Sequence, residues 1–439
     1  MTTLGDITAP KIEQSGPPTT GEFTYIDISS VDNKAKRIVE PKRLPGDVAP
    51  SRARQRLVAG DVLVSMTRPN LNAVAFVPSE LDGAIGSTGF HVLRANESTE
   101  PLWLYYAVQN RSFVQAMSDV VQGALYPAVR PKDIRAFEVD PPPVEEQRRI
   151  VAEIEMQFSR LDEALANLKR VKANLKRYKA SVLKAAVEGR LVTTEAELAR
   201  NEGRSFETGA QLLQRILEAR RSQWKGKGKY KEPGAPDTTG LPELPEGWVW
   251  TTMPQLGELA RGKSKHRPRD DAKLYGGQYP FIQTGDVRRS EGTIRDHTQT
   301  YSELGLAQSH LWPSGTLCIT IAANIAETGI LTFDSCFPDS VVGFIPVLEP
   351  VTTRYVEFFI RTSKEHLEQF APATAQKNIN LDVLERVAVA LPPLAEQERI
   401  VAEVDRRLSI AREVEAEVEA NLKRAQALRQ SILAAAFAG

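Results

Sequence analysis

The segment PPVEEQRRIVAEI at residues 142–154 returns as PPLAEQERIVAEV at residues 392–404, an offset of 250 residues without a gap. The same offset relates Gly189 to Gly439. Solenoid repeats have units of roughly 20–50 residues, so a period this long indicates a duplicated domain followed by a duplicated helix. The duplication predicts internal pseudo-two-fold symmetry, with two similar but non-identical surfaces.

Each copy of this segment opens a stretch with the apolar spacing of a long helix, and such a narrow apolar stripe needs a partner. We therefore expect the two helices to form an antiparallel coiled coil; the alternative is that each packs on its own domain. The seam expected in the first helix consists of Ile154, Phe158, Leu161, Leu165, Leu168, Leu175, Tyr178 and Val182. The seam expected in the second consists of Val404, Leu408, Ala411, Val418, Leu422, Ala425 and Ile432.

Short apolar runs punctuated by glycine and proline precede each long helix and predict mixed α/β domains. Residues 61–65 answer residues 316–320, for example. The expected fold class is α+β, with two duplicated mixed α/β domains separated by two long helices. The expected segments are a first domain at 1–142, a helix at 143–190, a connector with one helix and a basic stretch at 191–240, a second domain at 241–391 and a helix at 392–439.

Length and composition indicate a globular protein of two or three domains, since the chain has 439 residues and 41% hydrophobic content. No apolar run approaches the roughly 18 residues of a membrane span, and the first residues lack a signal-peptide pattern. Cys318 and Cys336 are too few to frame a fold of this size, and we expect them to be reduced thiols. These features predict a cytoplasmic protein without a membrane partner.

Positive charge is local rather than global, because 56 lysines and arginines balance 56 aspartates and glutamates. Residues 220–231 contain six lysines and arginines and no acid, and residues 261–269 contain five together with His266. Such runs are candidates for contacts with nucleic acid. The alternative for either run is a solvated linker or surface.

Two segments match catalytic motifs, but the residues around them do not suit the corresponding sites. Residues 257–264, GELARGKS, match the phosphate-loop pattern, which requires a buried strand before it and a helix after it. Pro268 and its charged neighbours cannot open a packed helix, and the first copy lacks the pattern. Residues 140–143, DPPP, resemble an adenine methyltransferase signature but lack the aromatic residue that stacks on a flipped base. Histidine and carboxylate spacings indicate no metal or nuclease site, so we expect no catalytic centre.

The remaining interpretation is binding to a two-part DNA target. Lysine and arginine anchor phosphates, whereas asparagine, glutamine, arginine and tyrosine can also read base edges. The candidate DNA-binding residues of the first domain are Lys34, Lys36, Arg37, Arg68, Asn70, Tyr126 and Arg130. Those of the second domain are Lys263, Lys265, Arg267, Arg269, Gln283, Arg288, Arg289, Gln376, Lys377 and Asn378.

The duplicated PPxxEQxxI segment, the lead-in LPEGW at 244–248 and the stretch QKNINL at 376–381 resemble the specificity subunits of Type I restriction-modification systems. The resemblance covers essentially the whole chain. It implies two target recognition domains, two spacer helices in an antiparallel coiled coil, and an asymmetric bipartite DNA site with an unread gap.

The same resemblance implies that this chain lacks a catalytic centre and has no cofactor of its own. Its partners would be double-stranded DNA, two modification subunits and two restriction subunits. The modification subunits would carry adenine methylation with S-adenosylmethionine, and the restriction subunits would be motor-nucleases that use ATP and magnesium.

One departure and two alternatives remain at this point. The first domain lacks the tryptophan-containing lead-in, so we expect its N-terminal edge to be completed by the far end of the chain or by a partner. The first alternative is a coiled-coil scaffold that binds only protein, without DNA readout. The second is an autonomous DNA-modifying enzyme.

Overall fold

A computed structural model describes residues 1–121, 127–226, 228–322, 325–348, 351–364, 367 and 379–437. The chain divides into two compact units. The first unit comprises Met1–Val171 with Glu417–Gly439, and the second comprises Lys172–Ala416. Each unit therefore holds one α/β domain together with a part of each long helix.

The first domain combines short strands with three helices. Its strands are β1 (Thr2–Thr3), β2 (Glu22–Ile26), β3 (Val31–Asp32), β4 (Arg37–Ile38), β5 (Lys42–Pro45), β6 (Ala53–Arg56), β7 (Val62–Ser65), β8 (Val74–Phe76), β9 (Ile85–Ser87), β10 (Phe90–Leu93) and β11 (Glu138–Val139). Its helices are α1 (Pro101–Ala107), α2 (Arg111–Val120) and α3 (Pro131–Arg135). The main sheets have the orders β5-β2-β9-β6 and β10-β7-β8, and β1 pairs with β11.

The first long helix and the connector follow as α4 (Val144–Val187), α5 (Glu195–Glu202) and α6 (Gly209–Ser222). The second domain has the strands β12 (Val249–Thr252), β13 (Gly257–Arg261), β14 (Tyr275–Phe281), β15 (Gly292–Ile294), β16 (Gln299–Tyr301), β17 (Leu317–Thr320), β18 (Thr328–Leu331), β19 (Val341–Pro346) and β20 (Ala388–Leu391). Its helices are α7 (Met253–Leu256), α8 (Thr284–Arg289), α9 (Glu303–Ala307), α10 (Val351–Thr362) and α11 (Leu381–Glu385), and the second long helix is α12 (Leu394–Ala436). Its largest sheet has the order β13-β19-β17-β18-β15.

The central strand β7 is apolar at successive positions because both of its faces are covered. Val62 and Val64 pack into a core with Trp103 of α1, whereas Leu63 packs on the opposite side with Ile26. A strand buried on both faces reads as a continuous apolar run instead of an alternation.

Strand β17 of the second domain repeats this two-sided packing. Leu317 and Ile319 face one core, and Cys318 faces the other. Cys318 is fully buried, and burial raises the pKa of its thiol. Both cysteines are free thiols, as expected.

In the first unit the two long helices pack against each other in antiparallel directions. Ile154 and Leu433 share one core with helix α1. Further along, Asp162 pairs with Arg429, whose guanidinium lies 4.8 Å from the ring centroid of Phe158. Residue numbers therefore rise on one helix as they fall on the other.

The second unit shows the same antiparallel contact between its own segments of the two helices. Lys179 pairs with Glu415 at 2.5 Å, while Leu183 and Ala186 join Val404 and Leu408 in one core. The helices contact the α/β domain of their unit as well, so the two packing modes contrasted from sequence occur together. The α+β class with two long helices is confirmed.

The expected seam is incomplete in the first helix. Val182 is 2% exposed and Leu161 is 7% exposed, but Tyr178 is 42% exposed and does not belong to the buried stripe. A tyrosine satisfies the apolar spacing, yet its hydroxyl makes a position at the water interface favourable.

A glutamine of the duplicated segment fixes the junction between the first domain and its long helix. Gln147 is 1% exposed. Its amide donates to the carbonyl of Pro142 at 2.8 Å and to that of Ser98 at 3.2 Å. Its side-chain oxygen accepts from the backbone N–H of Glu100 at 2.8 Å, directly before α1. The start of the long helix is thereby bound to the start of α1.

The second junction repeats this device 250 residues later. Gln397 is fully buried and donates to the carbonyl of Pro392 at 3.0 Å. Its side-chain oxygen accepts from the hydroxyl of Thr352, in the first turn of α10, at 3.0 Å. The glutamine of the motif is thus a structural residue in both copies.

The glutamate beside that glutamine behaves differently in the two copies. Glu396 is fully buried and accepts from the indole N–H of Trp248 at 3.0 Å and from the backbone N–H of Glu195 at 2.8 Å. Burial raises the pKa of its carboxyl. The side chain of Glu146 is 44% exposed and pairs with Arg149 at 2.8 Å. The tryptophan of the lead-in is therefore the partner that distinguishes the second junction.

The connector contains a helix, α5, in addition to the predicted one. Its Glu195 is 3% exposed and pairs with Arg204 at 2.6 Å and with Arg399 of the second long helix at 2.6 Å. This shielded cluster attaches the connector to the second junction. The sequence did not indicate it because Arg399 is distant along the chain from Glu195 and Arg204.

Replacing Gln397 by alanine should lower the free energy of unfolding by about 1–3 kcal/mol, because it leaves a buried carbonyl and a buried hydroxyl without a partner. Urea-unfolding midpoints would measure the loss. Gln157→Ala is the matched control, since the amide of Gln157 donates to the exposed Glu153 on the same helix, and it should shift stability by less than about 0.5 kcal/mol. Equal effects in both variants would contradict the structural role of the junction glutamine.

Candidate nucleic-acid interface

Three loop segments of the first domain meet in one cluster formed by residues 31–38, 66–72 and 127–130. The ammonium of Lys36 donates to the carbonyl of Asn72, and the hydroxyl of Tyr105 donates to the carbonyl of Lys36 at 2.6 Å. The backbone N–H of Arg68 donates to the carbonyl of Pro127 at 2.9 Å. We call this surface the first-domain loop cluster.

The first-domain loop cluster contains three of the five non-glycine residues that have positive φ in the described part of the chain. These are Lys36 at 56°, Arg68 at 50° and Asn72 at 45°. Left-handed backbone costs on the order of 1 kcal/mol or more for such residues and concentrates at functional sites. This strain was not visible in the sequence, and it favours a binding role for the cluster.

The predicted DNA-binding side chains of this cluster differ in their exposure and in whether they form ion pairs. Lys34, Arg37, Arg68 and Asn70 are exposed. Arg130 is exposed, but its guanidinium pairs with Asp133 at 3.0 Å. Lys36 is half-buried, and burial lowers the pKa of its ammonium to about 8. Tyr126 lies outside the described residues.

Basic residues at both edges of the sheet β5-β2-β9-β6 were missed by the sequence analysis. Arg43 is exposed on β5, while Arg52 and Arg54 are exposed beside and on β6. In β6 the side chains of Ala53 and Gln55 are buried, and the alternating Arg54 and Arg56 are exposed. The alternation ARQR was the available signal, since neighbouring side chains of a strand point to opposite faces.

In the second domain, residues 263–269 form a basic loop in which only part of the charge is unpaired. Lys263 and Lys265 are exposed and have no carboxylate partner among the described residues. Arg267 instead donates to the carbonyls of Ser264 and His266 at 2.8 Å.

The last arginine of this loop is tied to the domain. Arg269 donates to both carboxylate oxygens of Asp339, at 2.9 and 3.0 Å. Both contacts are made by one nitrogen, Nη2, so they form a charge-assisted hydrogen bond shared between the two carboxylate oxygens. Arg269 therefore fixes the loop in place while the two lysines remain available.

A second predicted group lies at helix α8. Gln283 precedes the helix, and its side-chain amide donates to the side chain of Gln299 on β16. Arg289 pairs with the buried Asp286 at 2.6 Å, and Arg288 is exposed. Gln376, Lys377 and Asn378 lie outside the described residues.

The basic stretch of the connector includes an aromatic pair. The rings of Trp224 and Tyr230 meet edge to face, with centroids 5.7 Å apart, and Trp224 is 49% exposed. Arg221 pairs with Glu232. The aromatic contact and this ion pair organise the part of the stretch that the structure describes.

The phosphate-loop pattern at 257–264 has the wrong geometry for phosphate. Gly257–Arg261 is strand β13, paired antiparallel with β19, and the backbone N–H of Gly262 donates to the carbonyl of Val341 at 2.9 Å. Backbone N–H groups that a phosphate loop would direct at phosphate therefore donate to carbonyls of the neighbouring strand. No cluster of three or more metal-binding side chains and no helix able to cross a membrane occurs in the described ranges.

Comparison with known proteins agrees with this architecture. Residues 245–424 match the family model of the Type I restriction modification DNA specificity domain. The chain is 25% identical over 348 residues to the Type I restriction enzyme EcoDI specificity subunit of Escherichia coli, covering 77% of this chain and 69% of that protein. It is 21% identical over 404 residues to the HindI specificity subunit of Haemophilus influenzae, covering 86% and 83%.

Solved structures extend the likeness to the whole chain. The crystal structure of the HsdS subunit from Thermoanaerobacter tengcongensis superposes with a TM-score of 0.61 at 26% identity, covering 100% of this chain and 96% of that one. A chain from a study of complex assembly and conformational transition of the type I R-M system gives 0.70 at 27% identity, covering 99% and 96%.

Two α/β domains, each bound to a long helix through the same glutamine and carrying exposed basic loops, define a double DNA-specificity protein. The second α/β domain and most of the helix that follows it match the Type I restriction modification DNA specificity domain, and the whole chain is similar in sequence and fold to specificity subunits of Type I restriction-modification systems. The resemblance deduced from the duplicated segment is confirmed.

The low pKa of Lys36 predicts a pH-dependent difference between the protein and its Lys36→Gln variant. Burial places the folded pKa at about 8, below the ordinary value of 10.5. Between these values the unfolded chain binds the proton and the folded chain does not, so this group's contribution to stability rises with pH. We expect the Tm of wild type to rise relative to that of Lys36→Gln from pH 7.5 to pH 9.5. A constant Tm difference would contradict the assigned environment of Lys36.

Proposed function

We propose that this DNA-recognition subunit reads one asymmetric duplex site in two parts, one with each α/β domain. The observation that carries the proposal is the repetition of one junction with different loops. Gln147 and Gln397 both donate to the proline carbonyl five residues before them and both accept at the start of a helix, α1 or α10, so each domain is held on its long helix in a similar way. The loops that each domain exposes nevertheless carry different side chains, which suits two different half-sites.

The exposed loop residues have the chemistry that both kinds of DNA contact require. Lys263 and Lys265 offer ammonium groups without internal carboxylate partners and suit phosphate oxygens. Asn70 is exposed, and the half-buried Gln283 donates one amide N–H to Gln299. The remaining amide groups of both residues suit a base edge, since an amide can donate and accept at the same time. We infer that phosphate contacts position each domain and that amides and arginines select its bases.

We infer that the chemistry of the complex resides in other subunits. Two modification subunits would carry adenine methylation with S-adenosylmethionine, and two restriction subunits would use ATP and magnesium. Support comes from the relatives, which are named as specificity subunits of restriction enzymes, and from the strand geometry of the phosphate-loop pattern. With duplex DNA as target and reduced thiols, we place the protein in the cytoplasm.

The protein-only scaffold is the alternative that the comparisons do not favour. Its support was the coiled coil alone, and a scaffold needs no exposed basic loops on either domain. The family model describes a DNA specificity domain and spans most of the second α/β domain with the helix that follows.

The experiment that tests the proposal is co-expression of this chain with an adenine-modifying subunit of the same system, followed by mapping of methylated adenines in the host genome. We expect one bipartite motif with a fixed gap. An ungapped motif, or none, would mean that the two domains do not read DNA together, and it would favour the scaffold.

Matched variants assign the two half-sites in the same experiment. Asn70→Ala should relax one half of the motif and Gln283→Ala the other, because each removes an amide from one domain only. A lost base contact of this kind costs about 1–3 kcal/mol of discrimination. Relaxation of the same half by both variants would contradict a division of the site between the domains.

Removing the two free ammonium groups should weaken DNA binding without changing its sequence preference. The Lys263→Ala, Lys265→Ala double variant should lower affinity for cognate and unrelated duplexes by the same factor. The slope of log affinity against log salt should fall by about 2, or about 1 for each phosphate contact. Fluorescence anisotropy across a salt series measures both quantities, and an unchanged slope would show that these lysines do not touch phosphate.

A further inference from the structure

A cavity of about 760 Å³ in the second unit has an unusually basic lining. Its walls come from the first long helix, the second long helix and helix α10, and Leu183, Val187 and Leu408 form the apolar part. Seven lysine and arginine side chains line it, against two glutamates, Glu188 and Glu291. None of the predicted DNA-binding residues of the second domain is among the residues that line it, although Glu291 follows helix α8 closely.

Part of this positive charge is neutralised by internal carboxylates. Arg354 and Arg361 share the fully buried Glu357, at 3.4 and 3.3 Å. Lys179 pairs with Glu415 at 2.5 Å, and Lys364 pairs with Glu327 at 2.6 Å. These contacts hold four cationic groups at the wall in defined positions.

Three further cations of the lining have no such partner. Lys176, Lys184 and Arg412 make no ion pair within the described residues, whereas the lining glutamate Glu188 already pairs with Arg190. Lys184 and Arg412 come from different long helices and line the same space. Like charges that face one cavity repel each other unless an anion lies between them.

At the corresponding positions of the first unit, the charges on the two long helices neutralise each other. There Asp162 and Arg429 pair across the two helices. Applying the offset of 250 residues places Arg412 at the position of Asp162 and Lys179 at that of Arg429. An ion pair in one copy has therefore become two cations in the other.

The equivalent cavity of the first unit is smaller and balanced in charge. It measures about 390 Å³, and Glu155 and Asp162 line it together with Lys36 and Arg429. The hydroxyl of Tyr106 donates to Glu155, which further occupies that space. The duplication thus provides an internal control, because, of these two equivalent cavities, the one in the second unit is the larger and has cations that make no ion pair among the described residues.

We propose that this cavity, the second-unit basic cavity, is a binding site for phosphate-bearing polyanions. Lys184 and Arg412 would contact phosphate oxygens directly, with Lys176 at the edge and Arg354 and Arg361 adding positive potential from the wall. The shared ligand chemistry is a chain of phosphates, which either the DNA backbone or a free polyphosphate such as a nucleoside triphosphate can supply. Guanidinium and ammonium groups are the side chains that bind such oxygens most strongly.

The test is isothermal titration of the full chain with inorganic tripolyphosphate, using a variant that rebuilds the arrangement of the first unit. Arg412→Asp places a carboxylate where Asp162 stands and gives Lys179 a second partner across the helices. We expect its thermal stability to equal or exceed that of wild type while its tripolyphosphate affinity falls at least about tenfold, because one attractive charge becomes repulsive.

The control has the same change of charge at a site without a cavity. Arg160 is exposed on the first long helix and does not line the cavity, and Arg160→Asp should leave tripolyphosphate affinity within about twofold of wild type, because salt screens an exposed charge that does not touch the ligand. The Lys263→Ala, Lys265→Ala variant should also retain tripolyphosphate binding, which separates this cavity from the recognition loops. The proposal is wrong if wild type binds no tripolyphosphate, or if Arg412→Asp binds it as wild type does.

A second arm identifies the source of the phosphates. If the DNA backbone occupies the cavity, Arg412→Asp will weaken binding of an unrelated 30-base-pair duplex, its salt slope will fall by about 1, and tripolyphosphate will compete with that duplex. If a free polyphosphate is the ligand, duplex binding will stay unchanged while tripolyphosphate binding is lost. Either result supports the site, and the two results distinguish the DNA backbone from a free polyphosphate as its ligand.

Discussion

The narrow apolar stripe on each long helix is the constraint on which the rest of this structure depends. Helices of 44 and 43 residues with charged outer faces cannot remain isolated in water. In each unit the stripe is covered partly by the other helix and partly by the α/β domain, as the shared cores of Ile154 with Leu433 and of Leu183 with Leu408 show. Burial of each such side chain contributes about 1.5–3 kcal/mol, so helices and domains stabilise one another.

The junctions convert this packing into a defined orientation of each domain on its helix. An apolar stripe alone tolerates rotation and sliding, whereas a buried amide with two or three directional partners does not. Gln147 and Gln397 therefore fix the domain that reads DNA relative to the helix that carries it. At the second junction, the indole N–H of Trp248 also donates to the buried Glu396. The corresponding Glu146 of the first junction is exposed and pairs with Arg149 instead.

Duplication followed by changes of charge explains how one fold presents different surfaces. The scaffold positions kept their chemistry, as the two glutamines and the two central strands β7 and β17 show. The variable positions did not, since Asp162 and Arg429 pair in one copy while Arg412 and Lys179 stand in their places in the other. Surface charges change at little cost in stability, whereas buried hydrogen-bonding groups do not. Differences between the units can therefore accumulate in their exposed charges.

The sequence by itself determined the duplication, the family, the α+β class and the two long helices, because these depend on local periodicity and on a motif that repeats without a gap. It also indicated which loops carry DNA-binding chemistry. Only the tertiary structure decided which of those side chains are available. Arg130 and Arg269 are held by Asp133 and Asp339, Lys36 is half-buried in a strained loop, and Lys263 and Lys265 remain unpaired in the described chain. The physical reason is that folding brings such partners and burial from separate segments, as Asp339 reaches Arg269 across 70 residues of chain.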